Sequence, residues 1–228
     1  MNLQHLRPED HFIIHACSFN REEALQALDC VSEQFDWDYY WEESVRNGVP
    51  SIIYKHFKKY PEIAAVVPDA LHQKHEQYYY KTLARNTRIF AELDKVLQFL
   101  NATGFDNVIL LKGAYLLPEV YEDLGARPMS DIDILVEDME KAETIFNLLV
   151  THKGFRPNIY RSQWEVDHRK RTKGKTQELI GRDLVIELHT PKYFEVLDHQ
   201  YFTQQVIEYE KKAGYYTLEY TLHADLLW

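Results

Sequence analysis

The chain has 228 residues, 45% hydrophobic and 27% charged, a balance that supports a packed core and argues against disorder. Its net charge of −10, from 36 acidic against 26 basic residues, argues against a general nucleic-acid coat, DNA included, but not against a local basic patch. Cys17 and Cys30 stand in no metal spacing, so neither a disulfide framework nor a zinc site is expected. No apolar run approaches ~18 residues and no signal-peptide pattern opens the chain, which leads us to expect a soluble, cytoplasmic protein with no membrane partner.

Residues 1 to 19 carry no clear pattern. Asn20-Arg21-Glu22-Glu23 reads as a helix cap with an acidic residue three positions on. Leu25, Leu28, Val31 and Phe35 follow at helical spacing. Trp37, Tyr40, Trp41 and Val45 continue a helical stripe until Gly48 and Pro50 interrupt it. Ile52, Ile53, His56, Phe57 and Tyr60 predict another short helix, closed by Pro61. This run of rings suits a base-stacking platform or a helical core, and the core is the reading we favour. From Asp69 to about Gly104 the pattern is helical again, long enough to span roughly 50 Å at ~1.5 Å per residue, with room for a break near Asn86.

Residues 108 to 136 carry the chemistry. Val108 to Leu111 has the length and composition of a buried strand. It ends at Lys112-Gly113, where a helix-compatible stretch begins. A strand that breaks at glycine into a helix N-terminus offers outward N–H groups and a close approach to phosphate. Lys112 and Arg127 are candidates to neutralise phosphate charge. Ser130 is a candidate phosphate contact or a turn cap. In Ser130-Asp131-Ile132-Asp133-Ile134-Leu135-Val136, strand alternation puts Asp131 and Asp133 on one face and the isoleucines on the other. Two such carboxylates repel each other unless a divalent cation lies between them. Without metal, at least one should have a raised pKa.

Asp138 to Lys153 reads as a helix stopped by Gly154. The remainder looks β-rich, with candidate strands at Ile159 to Tyr160, Trp164 to Arg169, Thr176 to Ile180 and Leu184 to His189, and a tight turn at Gly181-Arg182-Asp183. In the last of these, Glu187 and His189 alternate away from Leu184, Ile186 and Leu188. The basic run His168 to Lys175 reads as a solvated hairpin loop, or as a clamp on a triphosphate or an RNA-like acceptor. His189 either serves the same site as Glu187 or is a buried or capping histidine. The chain stops at Ala224-Asp225-Leu226-Leu227-Trp228, within what reads as the first turn of a helix.

The stretches LLKGAYLL, RPMSDIDILV and VIELH resemble a bacterial family of uncharacterised nucleotidyltransferases, within the DNA polymerase β-like superfamily. At greater distance they are similar to the nucleotidyltransferase toxins of abortive-infection systems. The resemblance covers roughly residues 35 to 228 in layout, with its motifs in 108 to 190. It implies an α+β fold, a mixed sheet with flanking helices, in a domain of residues 86–228. A helical region of residues 1–85 precedes it, and relatives continue with further helices at the C-terminus. It implies Mg²⁺-dependent transfer of a nucleoside monophosphate from an NTP to an acceptor hydroxyl. Asp131, Asp133 and Glu187 would hold two Mg²⁺ ions, and Lys112, Gly113, Arg127 and Ser130 would contact the triphosphate. The acceptor stays open between a small molecule, a protein and RNA. Many members of the superfamily have serine directly after the glycine, where this chain has Ala114. That leaves two alternatives beside the enzyme: a non-catalytic nucleotide-binding or docking module, and a toxin-like enzyme acting on tRNA.

Overall fold

The computed structural model describes residues 6–158 and 163–191. The candidate strand at 159–160 and the end of the chain at 224–228 lie outside the described residues. The chain forms two compact units. The first runs to Thr87 and takes in Asp123–Pro128; the second comprises Arg88–Glu122 and the chain from Met129 onward.

The first unit is helical: α1 (Pro8–Ala16), α2 (Arg21–Leu25), a 3₁₀ turn (Gln26–Cys30), α3 (Trp37–Arg46), α4 (Pro50–Lys59), α5 (Pro61–Val66) and α6 (Asp69–Ala102), which belongs to this unit as far as Thr87. Helix α1 falls in the stretch without a readable pattern. Its first residue is Pro8, whose missing N–H costs nothing in the first turn. Asn20 caps α2, its side chain accepting from the N–H groups of Glu22 and Glu23 at 2.9 and 3.3 Å. The helix predicted through Phe35 is instead two short turns, because apolar spacing alone does not separate an α-turn followed by a 3₁₀ turn from one continuous helix. Pro61 both ends α4 and opens α5.

The rings form a core. Phe12 and Tyr40 are fully buried, and Phe12 meets Phe35, Trp37 and Tyr40 edge-on at 5.5, 5.9 and 5.2 Å. Helix α6 runs 34 residues without the break allowed near Asn86. Asn86 is fully buried, and its amide donates to the carbonyls of Leu124 and Arg127 at 2.6 and 2.8 Å. Both hydrogens of that amide are thereby used on the segment Asp123–Pro128. In the same segment a Cβ on Gly125 would lie 2.5 Å from the Tyr79 ring, so only glycine lets the backbone come this close.

Among the described residues, the second unit holds a five-stranded sheet in the order β1-β2-β5-β4-β3. The strands are β1 (Ile109–Leu111), β2 (Ile132–Leu135), β3 (Arg156–Pro157), β4 (Leu179–Ile180) and β5 (Val185–His189), joined by α7 (Gly113–Glu119), α8 (Met139–Lys153) and α9 (Gln163–Lys173). Strand β2 pairs antiparallel with β1 and parallel with β5, while β4 pairs antiparallel with β5 and β3. The sheet is mixed and the unit is α+β. Ile132, Ile134, Ile186 and Leu188 are fully buried on one face, and α8, whose Ala142, Ile145 and Leu149 are fully buried too, packs against β5. Helix α8 starts at its cap Asp138 and ends at Gly154 with φ 71°, as read from the sequence. The turn at Gly181-Arg182-Asp183 joins β4 to β5, the Gly181 N–H donating to the Leu184 carbonyl at 2.8 Å.

The stretch Trp164 to Arg169 is helical, not a strand. Its apolar–polar alternation spans only Trp164 and Val166, too few positions to outweigh the straight-chain charged residues that favour helix. Glu165 in the first turn and Lys170, Arg171 and Lys173 in the last also match the helix dipole. Most of the basic run is therefore the last turns of α9 rather than a hairpin loop.

His75 supplies a test of the helical core. Its Nδ1–H donates to the Pro50 carbonyl at 2.9 Å, so Nε2 accepts from the Tyr40 hydroxyl at 2.9 Å. Burial pushes its pKa from 6.5 down to about 4, more than the Pro50 carbonyl offsets. A folded-state pKa below the unfolded one means the contribution is complete above pH 6.5 and is lost as pH falls from there toward 4. Acid titration of stability should show a loss of about 3 kcal/mol across this window, and His75→Gln should flatten that slope. An unchanged slope in the variant refutes the assignment.

Candidate functional site

Strand register builds the site. Leu111 on β1 lies opposite Asp133, and Asp133 lies opposite Glu187 on the parallel neighbour β5. Alternation then puts His189 on the same face as Glu187. Asp133, Glu187 and His189 are 3%, 5% and 0% exposed, and each offers a ligand atom within 4.8 Å of the others. Asp131 comes just before β2 and is half-buried; it is not a member of this cluster.

Two buried carboxylates need compensation, and basic side chains supply it. Lys112 Nζ reaches Asp133 Oδ1 at 2.8 Å from the end of β1. Its backbone has φ 49°, rare outside glycine, which marks Lys112 as a residue held in place by its surroundings. Glu187 is held on both oxygens, by Arg169 on Oε1 and by Lys175 Nζ on Oε2 at 2.7 Å. Arg169 reaches inward from α9. Gly174, at φ 56°, turns the chain so that Lys175 bridges to His189 and the Thr190 N–H donates to the Gly174 carbonyl at 2.8 Å.

His189 Nε2 lies 2.6 Å from Asp133 Oδ1. A carboxylate only accepts, so Nε2 carries the proton and donates. Burial lowers the His189 pKa despite the raising effect of Asp133, keeping the ring neutral. In this arrangement Nε2 orients the Asp133 carboxylate rather than offering a lone pair. For Asp133, burial acts to raise the pKa, but the hydrogen bonds from His189 and Lys112 outweigh it and hold the group below its ordinary value. The raised pKa expected from carboxylate repulsion is therefore not the outcome at Asp133, because the Lys112 ammonium and the His189 N–H both donate to it.

The remaining candidates separate. Gly113 opens α7 as expected, and a Cβ there would lie 3.0 Å from Met129 Cγ and Sδ, so a larger residue would need the Met129 side chain to give way. Ala114 is buried. Ser130 is exposed, its hydroxyl donating to Asp131 Oδ1 at 2.8 Å. Arg127 belongs to the segment that goes with the helical unit, where its carbonyl accepts from Asn86.

The model of a family of uncharacterised nucleotidyltransferases matches residues 33–222. The chain belongs to this family. No curated protein and no solved structure matches it. Membership supports nucleotide transfer as the class of chemistry. Among the described residues, no helix is long and apolar enough to cross a membrane.

Nucleotidyltransferases generally use divalent metals, and this donor set fits one. Asp133 and Glu187 are oxygen ligands on rigid, adjacent strands, the kind a hard cation such as Mg²⁺ takes. Arg169 and Lys175 were legible only as part of a basic run. Their partnership with Glu187 depends on a helix that the alternation of Trp164 and Val166 concealed. His189 had the right parity, but parity does not tell a ligand from an orienting donor.

The Asp133 pairings predict a stability effect. Asp133→Asn keeps the shape but removes the charge that Lys112 and His189 bind, and should cost about 2 kcal/mol without metal near neutral pH. Since the folded-state pKa of Asp133 is depressed, the difference should vanish as pH falls through the acid range below 3.8. Thermal unfolding of both proteins in EDTA across pH checks this; a variant as stable as the parent at neutral pH refutes it.

Proposed function

We propose that the protein is a Mg²⁺-dependent nucleotidyltransferase of polymerase β-like type, moving a nucleoside monophosphate from an NTP to an acceptor hydroxyl and releasing pyrophosphate. The observation that carries this reading is the pairing of Asp133 with Glu187 across neighbouring strands, both buried on one face with His189. Family membership supports the reaction class.

Asp133 and Glu187 would hold Mg²⁺, with Asp131 joining from the start of β2. Bound there, the metal would supply charge neutralisation for the triphosphate and activation of the attacking hydroxyl. His189 holds the Asp133 carboxylate in one orientation through its Nε2–H. Lys112, half-exposed and paired with Asp133, is the proposed contact to the phosphate charge. The Gly113 amide and Ser130 are further phosphate contacts under this proposal. No side chain need attack covalently, since this chemistry depends on positioning and charge. The protein is proposed to act in the cytoplasm.

A second reading, a nucleotide-binding module without turnover, is favoured by two observations: basic side chains already hold both carboxylates, and buried Ala114 supplies no hydroxyl.

Incubation with each α-labelled NTP and Mg²⁺, with small-molecule, protein and RNA acceptors in turn, separates the two. The expected outcome is label transfer with pyrophosphate release, reduced by about 100-fold or more in Asp133→Asn and Glu187→Gln. Metal-dependent NTP binding with no turnover on any acceptor class favours the binding module. Transfer that survives both substitutions refutes the site.

A further inference from the structure

We infer that Arg169 and Lys175 receive the polyphosphate of the donor, and that in its absence they hold Glu187, so that this one pair of side chains couples metal binding to polyphosphate binding. The inference rests on the nucleotide-transfer reading of this site.

Glu187 is buried, and both its oxygens are engaged: Oε1 by Arg169, and Oε2 by Lys175 at 2.7 Å, with His189 Nε2 a further 3.4 Å contact. Two cationic groups on the carboxylate oppose a divalent cation there, because the positive charges repel at contact distance, and the metal binds more tightly once a basic group turns away. Where that group goes decides the thermodynamics. Lys112, the cation on Asp133, has a side chain 49% exposed, so water accepts its ammonium at little cost. Arg169 and Lys175 have side chains only 14% exposed. Turned off Glu187, they would be largely buried charges that a further anion stabilises. Glu178, 3.4 Å from Arg169, already stands beside the pair. A polyphosphate would satisfy both, as a dense anion with oxygens matched to a guanidinium fork and an ammonium. Polyphosphate thus frees Glu187 for the metal, and metal on Glu187 frees the pair for polyphosphate. By linkage each ligand must strengthen the other by the same factor.

One substitution should therefore move the two ligands in opposite directions. Tripolyphosphate binding is measured calorimetrically in EDTA, and Mn²⁺ binding alone by the electron paramagnetic resonance of the free ion. Lys175→Met should weaken tripolyphosphate by about tenfold and tighten Mn²⁺ by a similar factor, the worth of one charge-assisted hydrogen bond. Glu187→Gln should do the reverse, tightening metal-free tripolyphosphate and removing Mn²⁺. A merely structural role weakens both ligands together. If Lys175→Met does not fold, the Glu187→Gln pair of measurements decides. A wild type that binds both ligands, with a folded variant shifting them in the same direction or shifting neither, overturns the inference and leaves the nucleotide-transfer reading intact. A wild type that binds neither overturns both.

Discussion

Two carboxylates buried side by side are the constraint around which the second unit is arranged. Asp133 and Glu187 sit at the same level on adjacent parallel strands, out of water, where like charges repel far more than at a surface. Such a pair is tolerated only where cations are brought to it. The chain does this from three directions: Lys112 from the end of β1, Arg169 from α9, and Lys175 from the strand-like segment after Gly174. Each delivery uses an irregular piece of backbone or an inward-facing helical position. Lys112 adopts a backbone conformation costing about 1–3 kcal/mol, which persists only where the surroundings enforce it. Local conformational cost and local electrostatic need thus meet at the same residue.

The opposite face of the sheet shows what the same strands do without that burden. Ile132, Ile134, Ile186 and Leu188 alternate with the charged positions and pack with no polar obligation. Strand parity alone turns one four-residue stretch into half a hydrophobic core and half a charged site. A slip of one residue in the β2–β5 register would exchange the two faces.

Much of this was legible from the sequence because it depends on local periodicity. Parity put Glu187 and His189 on one face. Glycine and apolar runs marked β1, α8 and the β4–β5 turn, and the aromatic spacing in residues 37 to 60 marked a helical core. What was not legible depends on long-range partners. Nothing in the neighbourhood of Asp133 announces that Lys112, 21 residues earlier, and His189, 56 residues later, will engage the same oxygen. Asn86 read as a weak point in a helix, whereas its amide serves carbonyls about 40 residues away. Trp164 to Arg169 misled because two apolar residues two apart have strand spacing, whereas in α9 they take different sides, Trp164 exposed and Val166 buried. The glycine at 113 was legible as a strand end, but the Met129 side chain beside it was not.

The excursion of Asp123–Pro128 has a consequence for how such a protein can be inherited. Just before the strand that carries Asp133, the chain leaves the sheet unit to lay six residues against Tyr79 and Asn86 of the helical one. Neither unit is a contiguous stretch of sequence. Recombination at a single point in α6 would leave those six residues without the buried amide that satisfies their carbonyls and the ring that packs against Gly125. The two units therefore cannot be exchanged as independent cassettes, and a gene encoding one is expected to travel with the other as a single heritable block.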